Sequence, residues 1–457
     1  MVSESTERVT IFKTRSALLL RGGESSFARD ASFETGQRKE ARMGVSEHLQ
    51  AALGKLNAEQ REAVECLDGP LLVIAGPGTG KTQLLSLRAA NILAKRDVAP
   101  GNLLCLTYTD AGAEAMRKRL IELVGRDAYG IQVSTFHGFA SSVRSSYPDY
   151  FARPASSRLA TCLCQAELMD AQLKRLPFGS PLSGLGDRGV ARNVGTMLGF
   201  VSRAKRSGLS YGELERIADQ TIDSAVWLKE HSSLCELVAR RATPALAEDL
   251  EAEVERACAA APQELVRPVV VAPGAYVPFI VHFRDAVRRT QLVDEESGKT
   301  AGYQAIRNAF FGGNNKTGRV FLAESTGEKL KVACQVAARY QAELDARSLY
   351  DYDDMIFDFV RAVEHSEELQ QRLQDAYSYI QIDEFQDTNG AQMRIVDLLC
   401  QGIKHPNVMA VGDDDQAIMR FQGASVECVN QFEQRYRPRN IVLKTNYRST
   451  QPLVELG

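Results

Sequence analysis

The chain has 457 residues, of which 44% are hydrophobic and 25% charged, with a formal net charge of -3. This composition is typical of a soluble globular protein, and the length favours about two to four domains over a single core. No apolar run approaches a membrane span, which argues against a membrane partner. The small net charge neither supports nor excludes nucleic-acid binding, because such binding depends on a local basic groove.

The nine cysteines are scattered, and the only close pair, Cys162 and Cys164, has no second pair at zinc-like spacing. We interpret them as free thiols in a reducing compartment, so we expect a cytoplasmic protein. Residues 1–45 are rich in Ser, Arg, Glu and Gly without periodicity, which predicts a disordered extension. Met43 shortly precedes the first periodic segment and is an alternative start.

The first predicted helix lies within Leu56–Val64, where Asn57 is a candidate N-cap and Gln60 follows three residues later. An amide side chain offers both a donor and an acceptor, so Gln60 could contact adenine. The apolar run Leu71–Ala75 then predicts a buried strand, and a helical pattern begins after Thr82.

A glycine-rich loop joins this strand to the helix and fits the phosphate-loop pattern in its strand–loop–helix context. Its residues are Gly76, Pro77, Gly78, Thr79, Gly80, Lys81 and Thr82. Glycines let successive backbone N–H groups point at one anion, and the helix adds its positive end. Lys81 could reach the β- and γ-phosphates of a nucleotide, and the Thr82 hydroxyl could bind Mg²⁺.

Two further apolar strands, Leu103–Thr107 and Ile131–Thr135, alternate with helical patterns and predict a parallel sheet covered by helices. Ligands gather at the carboxyl ends of such strands, where Thr107, Phe136 and His137 lie. The Phe136 ring could stack on a nucleobase there. Taken alone, Phe136 and His137 are more simply explained as ordinary core and loop residues.

Between about residues 150 and 345 the alternation of strands and helices is replaced by mostly helical patterns, which predict a helical insertion. The basic cluster Arg203–Arg206 is interpreted as a solvated face, with a nucleic-acid contact as the open alternative.

The alternation returns near Asp351–Met355, and the strand Tyr379–Ile382 ends in the paired carboxylates Asp383 and Glu384. One of these could hold Mg²⁺ and its neighbour could deprotonate an attacking water. A further strand, Val408–Val411, is followed at a short distance by Gln416, whose neutral amide could sense a γ-phosphate.

These motifs together resemble those of the UvrD/Rep/PcrA-like superfamily 1 DNA helicases. Leu56–Gln60 resembles the Q motif, Gly76–Thr82 motif I and Thr107–Met116 motif Ia. Thr135–His137 resembles motif Ib, and Asp351–Met355 the acidic motif before motif II.

The later motifs follow in the same order as in the family. Asp383–Thr388 resembles motif II, Gly412–Ala424 motif III and Asn446–Thr450 motif IV. The resemblance implies an α/β fold, with the parallel sheet of a RecA-like P-loop NTPase and a large helical insertion.

The resemblance also implies roles for individual residues. The nucleotide-binding residues it implies are Gln60, Gly76, Pro77, Gly78, Thr79, Gly80, Lys81, Thr82 and Tyr447. The catalytic residues it implies are Glu384, Asp383, Lys81, Gln416 and Arg448. The Mg²⁺ ligands it implies are Thr82 and Asp383. The DNA-binding residues it implies are Thr107, Thr135, Phe136, His137 and Phe421.

By the same resemblance, Glu384 is the catalytic base and Arg448 an arginine finger, while Tyr447 stacks on adenine and Gln416 couples the γ-phosphate to the DNA surface. Two residues of motif III depart from the family, because Met419 replaces an aromatic residue and Gln422 a common arginine. These departures weaken the expected base stacking and γ-phosphate sensing without touching the hydrolytic acids.

We expect a first RecA-like lobe in two parts, residues 46–150 and 346–435, separated by an insertion at 151–345. Residues 436–457 are then the start of a second lobe, and the chain ends shortly after motif IV. The implied function is a 3′–5′ helicase or translocase that uses ATP and Mg²⁺ on single-stranded DNA in repair or recombination. The alternatives are a nucleotide- and DNA-binding module without motor activity and the ATPase part of a helicase–nuclease.

Overall fold

The computed structural model describes residues 47–154, 156–186, 189–240, 243–271, 274–297, 300–314, 318–413 and 426–449. Its centre is a six-stranded sheet in which every pair of neighbours is parallel, in the order β12-β1-β11-β10-β2-β3. These strands are β1 (Leu71–Ala75), β2 (Leu103–Thr107), β3 (Gln132–Thr135), β10 (Tyr379–Ile382), β11 (Asn407–Gly412) and β12 (Arg439–Leu443). The predicted α/β fold with a parallel sheet is confirmed.

Helices cover both faces of the sheet, because alternate residues of its apolar strands point to opposite sides. Leu72 and Leu104 pack into one core, whereas Leu71 and Leu103 pack into the other. The helices against the first core are α5 (Phe136–Ser146), α15 (Asp354–Glu364), α16 (Glu367–Ala376), α17 (Gly390–Cys400) and α18 (Val426–Tyr436). The helices against the second are α1 (residues 47–54), α2 (Ala58–Glu65), α3 (Lys81–Lys95) and α4 (Asp110–Val124).

The region between β3 and β10 is largely helical and has two cores of its own. Its helices are α6 (Cys162–Lys174), α7 (Val194–Ser207), α8 (Tyr211–His231), α9 (Leu234–Leu237), α10 (Pro244–Ala260), α11 (Gln263–Val266), α12 (Phe279–Ser297), α13 (Ala301–Phe310) and α14 (Leu322–Ala346). Its short strands are β4 (Arg158–Leu159), β5 (Val269–Val271), β6 (Gly274–Tyr276), β7 (Phe311–Asn314), β8 (Gly318–Phe321) and β9 (Leu349–Tyr350). Strands β4 and β9 lie where the chain enters and leaves this region, and they pair in parallel with each other.

The structure differs from the sequence analysis at two places. Strand β12, expected at the start of a second lobe, pairs in parallel with β1 at the edge of the central sheet. In the basic cluster, Lys205 is 2% exposed and makes ion pairs with Asp351 and Asp354. The interpretation of this cluster as a solvated face is therefore wrong at Lys205, because carboxylates distant in the sequence enclose it.

All nine cysteines are free thiols. Among the helices that the structure describes, none combines the length and apolar character needed to cross a membrane.

Candidate functional site

The glycine-rich loop connects β1 to α3 in a conformation that favours glycine. Gly78 has a φ of 74° and Gly80 a φ of 88°, in the region that side chains with a Cβ rarely adopt. The Thr79 hydroxyl donates to the Gly76 carbonyl at 2.9 Å and closes the turn. Helix α3 begins at Lys81 directly after Gly80, which has no side chain to cap the first N–H groups. An anion can therefore bind these uncapped N–H groups, and the loop fits a phosphate.

Four of the predicted residues meet near the carboxyl ends of β1 and β10, the strands on either side of β11. The Lys81 ammonium lies 3.0 Å from a Glu384 carboxylate oxygen. The Thr82 hydroxyl donates to the Asp383 carboxylate at 3.4 Å, although 301 positions separate the two in the chain. The fold thus brings a cation, a hydroxyl and two carboxylates together beside the phosphate loop.

Asp383 is 4% exposed at the end of β10. Burial, followed by the neighbouring Glu384 charge, raises the pKa of Asp383 to about 6, and Lys81 and Thr82 oppose the rise only in part. A buried carboxylate beside a hydroxyl suits a hard divalent cation such as Mg²⁺, whose remaining ligands are usually water and phosphate oxygens. Within the described ranges, no cluster of three or more His, Cys, Asp or Glu forms a metal cage. The Thr82 hydroxyl and the buried Asp383 carboxylate fit a metal ion that is shared with a phosphate ligand.

Glu384 is one of three non-glycine residues with a positive φ among those the structure describes, at 50°. Its carboxylate accepts a hydrogen bond from the Gln386 amide at 2.8 Å. The side-chain amide oxygen of Gln386 in turn accepts a hydrogen bond from the Asp413 backbone N–H at 2.9 Å, just after β11. Gln386 therefore joins Glu384 to the segment that leads into motif III. The sequence analysis did not single out Gln386, although it lies in the run that follows β10.

The predicted adenine-binding residues lie on the other side of the phosphate loop. The Gln60 amide donates to the Thr79 carbonyl at 2.9 Å, and Gln60 forms a capping box with Asn57. The Asn57 amide donates to the Tyr447 hydroxyl at 2.9 Å, and Tyr447 is 60% exposed. These contacts place the Tyr447 hydroxyl beside the start of α2.

The segment around Tyr447 also contacts the phosphate loop directly. The Tyr447 N–H donates to the Gly78 carbonyl at 2.9 Å. A Cβ added to Gly78 would lie 2.2 Å from the Asn446 side-chain oxygen and 2.7 Å from the Arg448 Cβ. Arg448 itself is exposed. The structure therefore brings the backbone and Cβ of Arg448 to the rim of the loop.

Two of the residues predicted to bind DNA are instead part of the interior, which corrects the sequence analysis. Phe136 is 2% exposed and packs in the core beneath α5, so its ring is not presented to a nucleobase. Thr107 is also 2% exposed, and its hydroxyl donates to the Thr109 carbonyl at 2.8 Å. Thr135 caps α5 through a hydrogen bond from the Gly138 N–H.

His137 lies in a cleft that two aromatic residues overlooked by the sequence analysis help to form. The cleft encloses about 220 Å³ and is lined in part by Tyr108, Arg206 and Tyr352. Tyr108 follows β2, as His137 follows β3, so the cleft opens at the same edge of the sheet as the phosphate loop. In the sequence, Tyr352 is simply one residue of the acidic motif Asp351–Met355. Its aromatic neighbours in the cleft come from distant segments.

The remaining predicted residues lie outside the described residues. They are Gln416 and Phe421, together with the family departures Met419 and Gln422.

Comparison with known proteins gives the following similarities. The family model described as the UvrD/REP helicase N-terminal domain matches residues 56–437. The chain is 25% identical over 407 residues to a protein of Staphylococcus aureus (strain Mu50) named ATP-dependent DNA helicase PcrA. A protein of Staphylococcus epidermidis with the same name is 25% identical over 407 residues. The matches cover 89% of this chain and 40% of each relative, so the chain spans about two fifths of their length.

Proposed function

Since this chain belongs to the UvrD/REP helicase family, whose N-terminal domain model matches residues 56–437, we propose that it couples ATP hydrolysis to movement on DNA. The single observation that carries this proposal is the meeting of Lys81, Thr82, Asp383 and Glu384 beside the phosphate loop. A loop lysine, a hydroxyl and paired carboxylates are the groups that enzymes use for phosphoryl transfer from a nucleoside triphosphate. The similar PcrA proteins are named as ATP-dependent DNA helicases, which supports the same assignment.

In the proposed reaction, the loop N–H groups and Lys81 hold the β- and γ-phosphates. To do so, Lys81 exchanges its present Glu384 partner for phosphate oxygens. Glu384, freed from that pair and held by Gln386, accepts a proton from the attacking water. The bond between the γ-phosphorus and its bridging oxygen breaks, giving ADP and inorganic phosphate.

Thr82 and Asp383 would hold Mg²⁺, which when bound neutralises charge on the phosphate oxygens. Arg448 and Gln416 are proposed to stabilise and sense the γ-phosphate, and Gln60 and Tyr447 to hold adenine. The exposed position of the Tyr447 ring beside Asn57 supports the last assignment. Residues Thr135 and His137 are proposed to contact single-stranded DNA, whereas buried Thr107 and Phe136 are not.

A second candidate is a nucleotide- and DNA-binding module without motor activity. The observation that favours it is the pair of departures in motif III, where Met419 replaces an aromatic residue and Gln422 a common arginine. A duplex with a single-stranded tail distinguishes the two candidates. If the protein is a helicase, we expect it to unwind a 3′-tailed duplex and to unwind a 5′-tailed duplex only weakly. We expect Lys81→Ala to abolish this unwinding. Hydrolysis without unwinding of either duplex would contradict it and support the module.

The family resemblance supports 3′–5′ polarity and a role in repair or recombination as further parts of the proposal. The nine free thiols support a reducing compartment such as the cytoplasm.

A further inference from the structure

Helix α2, which carries Gln60, is attached at its C-terminal end to α3, the helix that follows the phosphate loop. Side chains of α3 donate three hydrogen bonds to backbone carbonyls at this end, two from the Arg88 guanidinium and one from the Asn91 amide. A helix leaves its last carbonyls without partners from its own backbone, so these bonds supply what α2 lacks. The accepting carbonyls are those of Cys66 and Leu67, each at 2.9 Å from Arg88, and Val64, at 3.0 Å from Asn91.

The Arg88 side chain is a cation held entirely inside the protein. It is 0% exposed, and burial lowers the pKa of Arg88 to about 10, so the guanidinium keeps its charge at pH 7. Its Nη1 atom is enclosed without a hydrogen-bond partner among the described residues. Burying a charge is costly, whereas a cation beside the C-terminal end of a helix interacts favourably with the helix dipole. The two carbonyls at the end of α2 therefore account for the position of this charge.

The N-terminal end of α2 presents the amide that we expect to contact the base. The Gln60 amide nitrogen donates to the Thr79 carbonyl at 2.9 Å, and the amide oxygen accepts the Asn57 N–H at 3.3 Å. An amide has two N–H groups and two lone pairs, so one of each remains for a ligand. Adenine matches this pair with its 6-amino donor and its N7 acceptor, whereas a 6-oxo purine offers two acceptors. The free half of the Gln60 amide therefore distinguishes the two kinds of base.

Helix α3 connects the phosphate loop to the far end of α2. It begins at Lys81, and Arg88 follows about two turns later. Helix α2 has only eight residues, so a shift at its C-terminal end moves Gln60 as well. The same helix that offers its N-terminus to the phosphates thus fixes, through Arg88 and Asn91, where the base-contacting amide lies relative to them.

We propose that Arg88 and Asn91 are positioning residues for base selection. By holding the C-terminal end of α2 against α3, they keep the free amide atoms of Gln60 at the distance from the phosphate loop that an adenine nucleotide requires. The proposal rests on the proposed function, because it concerns the base of the same nucleotide. The preference for a 6-amino over a 6-oxo purine then depends on two buried side chains that do not touch the base.

The test measures how ATP, inosine triphosphate and inorganic tripolyphosphate compete with a fluorescent ATP analogue in the presence of Mg²⁺. Inosine triphosphate differs from ATP at position 6 of the base, and tripolyphosphate reports on the phosphate loop alone. Arg88→Met should lower the affinity for ATP by about tenfold, and Asn91→Leu by about threefold, because the Gln60 amide loses its alignment with the base. The affinities for inosine triphosphate and tripolyphosphate should change by less than about twofold, since neither depends on that amide.

The matched control is Gln374→Met on the other face of the sheet. The Gln374 amide donates to the Leu398 and Gln401 carbonyls at the C-terminal end of α17, so the variant loses the same kind of bond away from the nucleotide. All three affinities should equal those of the wild-type protein. Asn91→Leu removes only one hydrogen bond and keeps the proposal testable if Arg88→Met does not fold.

The outcomes separate this inference from the proposed function. A residue that acts through Gln60 has no further effect on ATP affinity once Gln60→Leu has removed the amide, and an equal further loss in the double variant would overturn the positioning role. Tripolyphosphate affinity that falls as much as ATP affinity, or equal binding of ATP and inosine triphosphate by the wild-type protein, would refute it and leave the proposed function standing. If the wild-type protein binds none of the three, the proposed function fails and the inference with it.

Discussion

Gly78 shows how closely the phosphate loop is packed against the segment that follows β12. Its positive φ requires glycine, and the space above its Cα is occupied by Asn446 and Arg448. Both restrictions act at a residue whose carbonyl also accepts the Tyr447 N–H. A side chain at this position would therefore disturb both halves of the candidate nucleotide site.

We predict that Gly78→Ala lowers affinity for ATP by about tenfold or more, since the new Cβ forces the loop and the Asn446 segment apart. Titration with a fluorescent ATP analogue measures the effect. Gly69→Ala is the matched control, because Gly69 has a φ of 78° but nothing within 4 Å of an added Cβ. This control should cost about 1 kcal/mol of stability and leave ATP affinity unchanged. Equal nucleotide affinities of the two variants would contradict the account.

At the level of single residues, the sequence located the phosphate loop and the paired carboxylates because their chemistry depends on local runs. It could not decide which strand-end residues are exposed. Thr107 and Phe136 occupy the expected positions at the ends of β2 and β3, but both side chains point inward. Tyr352 is the opposite case, because its side chain is exposed. The segment that carries it is bound to α7 through the Lys205–Asp351 pair, whose members are 146 positions apart in the chain.

Helix α7 is joined to β9 and α15 by a buried group of charges. Lys205 bridges Asp351 and Asp354, and Arg153 also pairs with Asp354. The sequence predicted the helical character of this region but assigned its basic cluster to solvent, since a charge run carries no information about a distant carboxylate partner. Such a network fixes one arrangement of helix and sheet, because any other would leave buried charges unpaired.

We predict that Lys205→Met destabilises the protein by about 3–5 kcal/mol, because buried Asp351 loses its cation and Asp354 keeps only Arg153. Urea unfolding followed by circular dichroism measures the change. Lys118→Met is the matched control, since Lys118 makes an exposed pair with Glu114 on α4 and its loss should leave stability unchanged within error.

The pH dependence of this variant has a definite sign. Burial raises the pKa of Asp351, and Lys205 opposes that rise, so removing Lys205 raises the pKa further. A carboxyl group whose pKa is higher in the folded state stabilises the fold while it is protonated and loses that contribution as pH rises through its folded pKa. The deficit of Lys205→Met relative to wild type should therefore grow as pH rises above about 4, the ordinary pKa of an aspartate carboxyl. A deficit that shrinks over this range would contradict the assignment.

At the scale of the whole molecule, the sheet order places the nucleotide site and the aromatic cleft on one edge. The nucleotide site lies at the ends of β1 and β10, and the cleft lies at the ends of β2 and β3. Strands β10 and β2 are neighbours, and the Asp383 N–H donates to the Leu106 carbonyl at 2.9 Å. The backbone of the candidate nucleotide site is therefore hydrogen-bonded directly to the strand that leads into the cleft.

The measurement that tests the central claim most directly is steady-state ATP hydrolysis by this polypeptide, with and without single-stranded DNA. Glu384→Gln is the blank, because it retains the side-chain shape but cannot accept a proton from water. The account predicts Mg²⁺-dependent turnover that rises when single-stranded DNA is added and falls to background in the blank. Turnover equal in the wild-type protein and Glu384→Gln, with or without DNA, would contradict it.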